Sequence, residues 1–308
     1  MLRVAENKVR IEGILSETDL EYGSFQKDGK TVECIRGQIK VLVSQTINGE
    51  PSENEIPVHM FAPKLTNKGT LNPAYESIER VKNEFVSIAA AGGEANADRV
   101  RITSGQITMN EYYNADKRLI SFPRITTSFI SKIKKDDCKP EATFSAEMVV
   151  GGHGPKLDAE GNEVEPKRYI VKGIMPKFGD KVDVIDFYCA NENVANVVAD
   201  NWEKGDTVKF KGRLNFTSKT ETYLEEVDFG EPLERVRTIS TSELLIVGGS
   251  RDPLEGDFAY DPNEIKKALE ERVARLEKQK EQDIERAKKR MAPAPASETS
   301  KGSVDLGF

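Results

Sequence analysis

The clearest alternation of apolar and polar positions in this chain lies near residue 210. Val208, Phe210, Gly212 and Leu214 alternate there with Lys209, Lys211 and Arg213. A period of two predicts a strand with one apolar face and one basic face. Gly205 precedes the run and suits a turn at positive φ, which a residue without Cβ enters freely. Gly212 inside the strand predicts a bulge or a sharp bend, as in the wall of a small closed barrel. The lysines fit two readings: an edge strand kept soluble by charge, or a barrel wall with a cationic outer face.

A partial repeat favours the barrel. Asp98-Arg-Val-Arg-Ile-Thr-Ser-Gly-Gln-Ile107 follows the same order, with one extra residue before the glycine. A strand and then a helical stretch precede each copy, at 56–61 and 72–85 before the first and at 182–189 and 191–202 before the second. Each half opens with a strand (8–15; 142–150), continues with another (31–44; 168–175) and closes with a fifth (119–133; 236–247). Five strands with a helix between the third and fourth describe the OB-fold, a partly open Greek-key barrel. The predicted fold class is all-β dominated: two tandem OB-fold barrels with short helices between strands 3 and 4, plus a C-terminal helix and a disordered tail. Residues 132–140 are polar and end in Pro140, so the boundary falls there. This gives a first domain at 1–135, a second at 136–250, a connector and helix at 251–291, and a tail at 292–308.

The second half resembles the bacterial and phage single-stranded DNA-binding proteins. The matching span is 182–214, about a tenth of the chain, and its core is an Ala-rich helix followed by Lys-Gly-x-x-Val-x-x-x-Gly-x-Leu. Ala195, Lys204, Gly205, Val208, Gly212 and Leu214 occupy those positions. The first half has Gly105 and Ile107 but no Lys-Gly before its strand. That family often ends in a disordered tail with an acidic, apolar tip closing on Pro-Phe. This chain ends Ser303-Val-Asp-Leu-Gly-Phe308, which keeps the Phe, has one acid and places Gly307 where the family has Pro. The resemblance implies a protein that coats and protects single-stranded DNA in replication, recombination or repair. It also implies a tip, built on Val304, Asp305, Leu306 and Phe308, that recruits replication or repair proteins.

Net charge is −7, but it is unevenly spread. Residues 1–135 carry 19 Lys and Arg against 17 Asp and Glu, whereas 136–250 carry 14 against 22. The first half therefore offers the more favourable surface to a polyanion, and the acidic total argues against loose, charge-driven binding. Three scattered cysteines and two histidines offer no zinc motif, no cofactor is expected, and the thiols read as free in a reducing cytoplasm. No apolar run approaches a membrane span. Gly151-Gly-His-Gly-Pro-Lys156 lacks the Gly-Lys-Ser/Thr of a phosphate loop and reads as a flexible hairpin loop; no catalytic motif appears, so no enzyme is expected. Asp261-Pro-Asn-Glu264 reads as a helix start. The helix carries a narrow seam of Ile265, Leu269, Val273, Leu276, Ile284, Ala287 and Met291. That seam suits either packing on a barrel or a coiled-coil or partner contact, so an oligomer is also compatible.

Holding a single strand requires cations along the phosphates and flat side chains against the bases. In OB-folds both sit on the strand 2–3 face and on the loops between strands 1–2 and 4–5. In the first half the candidates are Tyr22, Phe25, Lys27 and Lys30 in the 1–2 loop and Arg36 and Lys40 on strand 2. Tyr112, Tyr113, Lys117 and Arg118 join them at the 4–5 tip. His59 and Phe61 flank Met60, and Phe61 is compatible with core or surface. In the second half they are Lys167, Arg168, Tyr169, Lys172, Lys177, Phe178 and Lys181, then Lys209, Lys211, Arg213, Phe216, Lys219 and Tyr223. Composition does not separate DNA from RNA. An RNA-binding OB module and an assembly protein that uses its barrels for protein contacts are the alternatives.

Overall fold

The computed structural model describes residues 2–47, 49–158, 160–225 and 233–291. It is mostly β, with a C-terminal helix. The first half holds β1 (Asn7–Lys27), β2 (Lys30–Ile47), β3 (Glu50–Pro63), α1 (Pro73–Glu84), the single turn α2 (Ile88–Ala91), β4 (Arg99–Tyr113), β5 (Leu119–Thr126) and β6 (Ser131–Ile133). The second holds β7 (Glu141–Pro155), β8 (Tyr169–Lys177), β9 (Lys181–Cys189), α3 (Glu192–Asn201), β10 (Thr207–Glu225) and β11 (Leu233–Gly249), followed by α4 (Pro262–Met291).

The pairings repeat between the halves. β1, β2 and β3 form an antiparallel meander, β4 pairs with β1 and β5, and β5 meets β3 in parallel through Val58–Ile125 and His59–Thr126. The first five long strands therefore close a ring. In the second half β7, β8 and β9 form the meander, β10 pairs with β7 and β11, and β11 meets β9 in parallel through Leu245–Tyr188 and Ile246–Cys189. Alternation fills each interior with apolar side chains. Ile35, Ile39, Val41 and Val43 point inward from β2, as do Ile56, Val58 and Met60 from β3 and Val208, Phe210 and Leu214 from β10. The ladder shifts register at Lys211–Gly212, where a Cβ on Gly212 would lie 2.0 Å from the Phe144 ring. α1 is capped by Asn72, whose side chain accepts from the Ala74 N–H, and it buries Tyr75, Ile78 and Val81.

Several sequence expectations shift at the strand ends. Residues 21–30, read as a loop, are the arms of a long β1–β2 hairpin paired out to Lys27–Lys30. The glycine run 151–155 continues β7, so the hairpin loop lies beyond it. The last strand of the first half is interrupted into β5 and β6, which follow one another along the same edge of β4 in one register. In each case the strand persists because its edge finds a partner, which local composition does not show.

The halves share a wall. Asn7–Glu12 of β1 pairs with Ala146–Glu141 of β7, giving one sheet of 11 strands. Buried Glu12 ties the seam, and Asn7 braces β1 against β4 beside it. Glu12 accepts from Arg101 at 2.7 Å and from the Lys139 N–H at 2.6 Å, and the Asn7 side chain bonds both backbone groups of Ile107. α4 crosses the same seam. Its first turns bury Tyr260, Ile265 and Ala268 against Leu2, Ala5, Val149, Ile174 and Val182. Farther along, Arg272 pairs with Glu111, Lys280 lies 5.3 Å over the Tyr113 ring, and Asp283 accepts from the Tyr113 N–H. The first turns of this helix and Leu276 thus pack on their own chain, while Val273 is 57% exposed.

The Arg101 hydrogen bond, helped by the Lys139 N–H, holds the Glu12 carboxyl below its ordinary value of 4.5. A carboxylate depressed in the folded state stabilises fully above its unfolded pKa and loses that contribution as pH falls through the folded one. Urea melts of Glu12→Gln are therefore expected to show lower stability than the parent at pH 7, with the gap closing below pH 4.5. A gap independent of pH would remove Glu12 from the acid limb.

Candidate nucleic-acid interface

Residues that alternate with the buried positions of β2, β3 and β5 form an outer face. Register places Arg36 beside Phe61, Gln38 beside His59 and Lys40 beside Pro57. The parallel step from β3 to β5 puts His59 next to Thr126, and Arg124 stands opposite Thr108 of β4. A groove of about 1010 Å³ runs over this surface, and its lining includes Arg36, His59, Phe61, Arg124 and Phe129. Phe61 and Phe129 are each 52% exposed, and Phe25 lies 5.7 Å from Phe61 between ring centroids. Apolar residues exposed singly are ordinary, but rings gathered along one groove form a patch of the kind that marks a contact site.

The charges of this face are mostly engaged. Arg36 is held by Glu21 at 2.8 Å and Lys40 by Glu17 at 2.6 Å. Arg124 differs. Its Nε is buried without a hydrogen-bond partner, and among the described residues no carboxylate pairs with its guanidinium. Its one ring contact is Phe122, 5.3 Å away. Burial lowers its pKa, but a guanidinium keeps its proton in proteins. Burial first, and then Arg124, holds His59 below the ordinary imidazole value, so His59 is neutral at pH 7.

A second groove of about 260 Å³ shares His59 and Arg124 with the first and is closed on its far side by Phe216, Ser218, Ser240 and Thr241 of β10 and β11. The β10–β11 hairpin lies along β3 because Asn54 accepts from the Phe216 N–H at 2.8 Å and Gln45 donates to the Leu214 carbonyl at 2.8 Å.

A family model described as YorF matches residues 5–283. The chain belongs to the YorF family. No curated protein matches it in sequence. Two solved structures of the single-stranded DNA-binding protein from Thermus aquaticus are similar to this YorF-family chain. The wild-type structure has 10% identity and a TM-score of 0.49, covering 85% of this chain and 99% of its own. The deletion mutant carrying R190A has 11% identity and a TM-score of 0.47, covering 84% and 98%.

The sequence-predicted residues separate into groups. In the first half, Phe25 and Arg36 reach the aromatic and cationic face just described. Tyr22 is exposed and donates to Glu79 at 3.2 Å, while Lys27 and Lys30 sit at the hairpin end. Tyr112 is 39% exposed and packs edge-on against Phe122. Tyr113 is buried beneath α4 and presents no face to solvent; helix packing, invisible in a local window, captures it. Lys117 and Arg118 occupy the β4–β5 turn.

In the second half α4 covers a patch nearer the start of β9, away from the step where β9 meets β11. Val149 and Ile174 point out of the ring and pack under α4, and Lys172 lines a cavity of about 480 Å³ there. Lys177 is bound to Asp183 at 2.8 Å, Arg168 to Glu243 at 3.1 Å, Lys167 to Glu163 at 3.3 Å and Lys209 to Glu6 at 3.0 Å. Tyr169 is tied to His153 at 2.8 Å, Arg213 donates to the Thr46 carbonyl, and Phe216 is core. Lys181 and Lys211 are exposed, Phe178 is 89% exposed at the β8–β9 turn, and Arg237 stacks over Tyr223. The Lys219 side chain and the tip residues Val304, Asp305, Leu306 and Phe308 lie outside the described residues.

Sequence reasoning missed Phe122, Arg124 and Phe129. The signal was present in Phe122-Pro-Arg-Ile125, where Phe122 and Arg124 alternate with the buried Ile125. Among the described residues no cluster of His, Cys, Asp or Glu could hold a metal ion, and no helix is long and apolar enough to cross a membrane.

The two tyrosines of β4 are expected to behave differently. Tyr113→Ala removes a buried ring and should cost roughly 2–4 kcal/mol of stability by urea unfolding. Tyr112→Ala should leave the melting temperature within a few degrees. Equal losses would show that both rings are structural.

Proposed function

We propose that this chain binds single-stranded DNA through the outer face of its first half. One observation carries the reading: exposed Phe61 and Phe129 share a groove with Arg124, a cation that no carboxylate pairs among the described residues. Rings stack on bases of any sequence, and a cation balances the phosphate beside them. In this reading each ring is an OB-fold barrel, with residues 1–135 and 136–250 as the two units, and the first performs the binding. The position of the groove, over the second and third strands and beside the fourth and fifth, is where such barrels take their ligands. The biological role follows the sequence resemblance: coating and protecting single strands in replication, recombination or repair. The apolar end of the sequence, 303–308, would recruit protein partners without contributing to strand affinity.

A fluorescently labelled dT oligomer tests the reading, because Trp202 is buried and is a poor reporter of a surface event. Affinity for dT is expected to exceed that for duplex by at least about a hundredfold, as a few stacked bases at roughly 1–3 kcal/mol each require. Phe61→Ala is expected to weaken dT binding by about 1–3 kcal/mol with an unchanged melting temperature. Equal affinity for single strand and duplex sinks the proposal. Tighter binding of a matched RNA oligomer would transfer the function to RNA.

A further inference from the structure

We propose that Arg124 is the seat of a phosphodiester at the point where a bound strand passes from the first half of the molecule to the second, an inference that rests on the single-strand reading above. Three observations converge. First, among the described residues no carboxylate pairs with the Arg124 guanidinium, and its Nε is buried unsatisfied. A partly desolvated cation whose Nε–H has no acceptor is completed by an anion that accepts from it. A planar guanidinium also matches a phosphodiester, whose two free oxygens accept parallel N–H bonds.

Second, Arg124 and His59 line both grooves, so they mark the crossing. Any chain that leaves the aromatic groove towards the β10–β11 hairpin passes them. His59, neutral at pH 7, offers a hydrogen bond there and adds no second positive charge. Third, the hairpin side of the crossing is lined by the hydroxyls of Thr217, Ser218, Ser240, Thr241 and Ser242. Hydroxyls donate to phosphate and sugar oxygens without repelling them. The one carboxylate in that groove, Glu55, is engaged by Ser16 at 3.0 Å and by Lys40 at 3.7 Å.

Arg124→Gln, Arg124→Lys and Ser240→Glu test the assignment in the full chain with dT oligomers over a range of salt concentrations. Arg124→Gln is expected to lower affinity about 10- to 100-fold, the loss of a charge-assisted hydrogen bond. It should also reduce the slope of log K against log salt by roughly 0.7, the value of one phosphate contact on a single strand. Its melting temperature should stay about the same, because Arg124 is half-buried and bonds no carboxylate among the described residues. Arg124→Lys should retain the salt slope and recover part of the affinity. Ser240→Glu should weaken long oligomers and spare those too short to leave the first groove. Wild-type affinity and slope in Arg124→Gln would overturn the inference while leaving the function standing. So would a fall in melting temperature that accounts for the lost binding. Failure of the parent protein to bind dT at all would overturn both.

Discussion

The backbone ladder between Asn7–Glu12 and Ala146–Glu141 is the constraint on which the rest of the structure depends. β1 and β7 each use one stretch to close their own ring and overlapping residues to pair with each other. Val9 illustrates this, lying opposite Gly105 in one ladder and Phe144 in another. Both edges of the shared segment are therefore hydrogen-bonded, and neither is open to a foreign strand. Because the ladder fixes register as well as distance, it sets where everything downstream of β7 falls. The β10–β11 hairpin arrives over β3 with Phe216 in reach of Asn54, and the second groove exists only because it does. A pair of domains on a loose linker would have no such groove.

The two rings repeat one pattern of pairings but present different surfaces. On the first, outward positions of β2, β3 and β5 carry Arg36, Phe61 and Arg124 and remain open. On the second, the outward Val149 and Ile174 are apolar and are covered by α4. The same helix then reaches Tyr113 and Glu111 of the first ring, so it covers one face and braces the seam at once. The patch that α4 covers, formed with Val149, Ile174 and Val182, lies away from the strands that match the groove of the first ring.

Local pattern carried much of this and stopped at a definable point. The alternation at Val208, Phe210 and Leu214 predicts an inward face, and those side chains are buried, with the bend at Gly212 where a close approach to Phe144 requires glycine. The outward lysines were not legible in the same way. Whether Lys209 is free or paired depends on Glu6, some two hundred residues earlier, brought near by the β1–β7 ladder. Tyr112 and Tyr113 are indistinguishable in sequence, and only the packing of α4 separates them. For Arg124 the alternation about Ile125 shows that it points outward, but the lack of a carboxylate beside it among the described residues depends on the packed structure.

The overall charge of −7 looks hostile to a polyanion, yet net charge describes the far field and the groove is governed by near neighbours. Glu21 is bound to Arg36 and Glu17 to Lys40, so much of the acid beside the groove is neutralised in place. Asp19 is a further carboxylate on the lining, and His59 is uncharged at neutral pH. What remains at the crossing is one full positive charge in a partly desolvated setting, where its interaction with an anion is screened least. Such a surface attracts little from a distance and discriminates at contact. It suits recognition by stacked rings with few phosphate contacts, and it predicts a weaker dependence on salt than a uniformly basic groove would show.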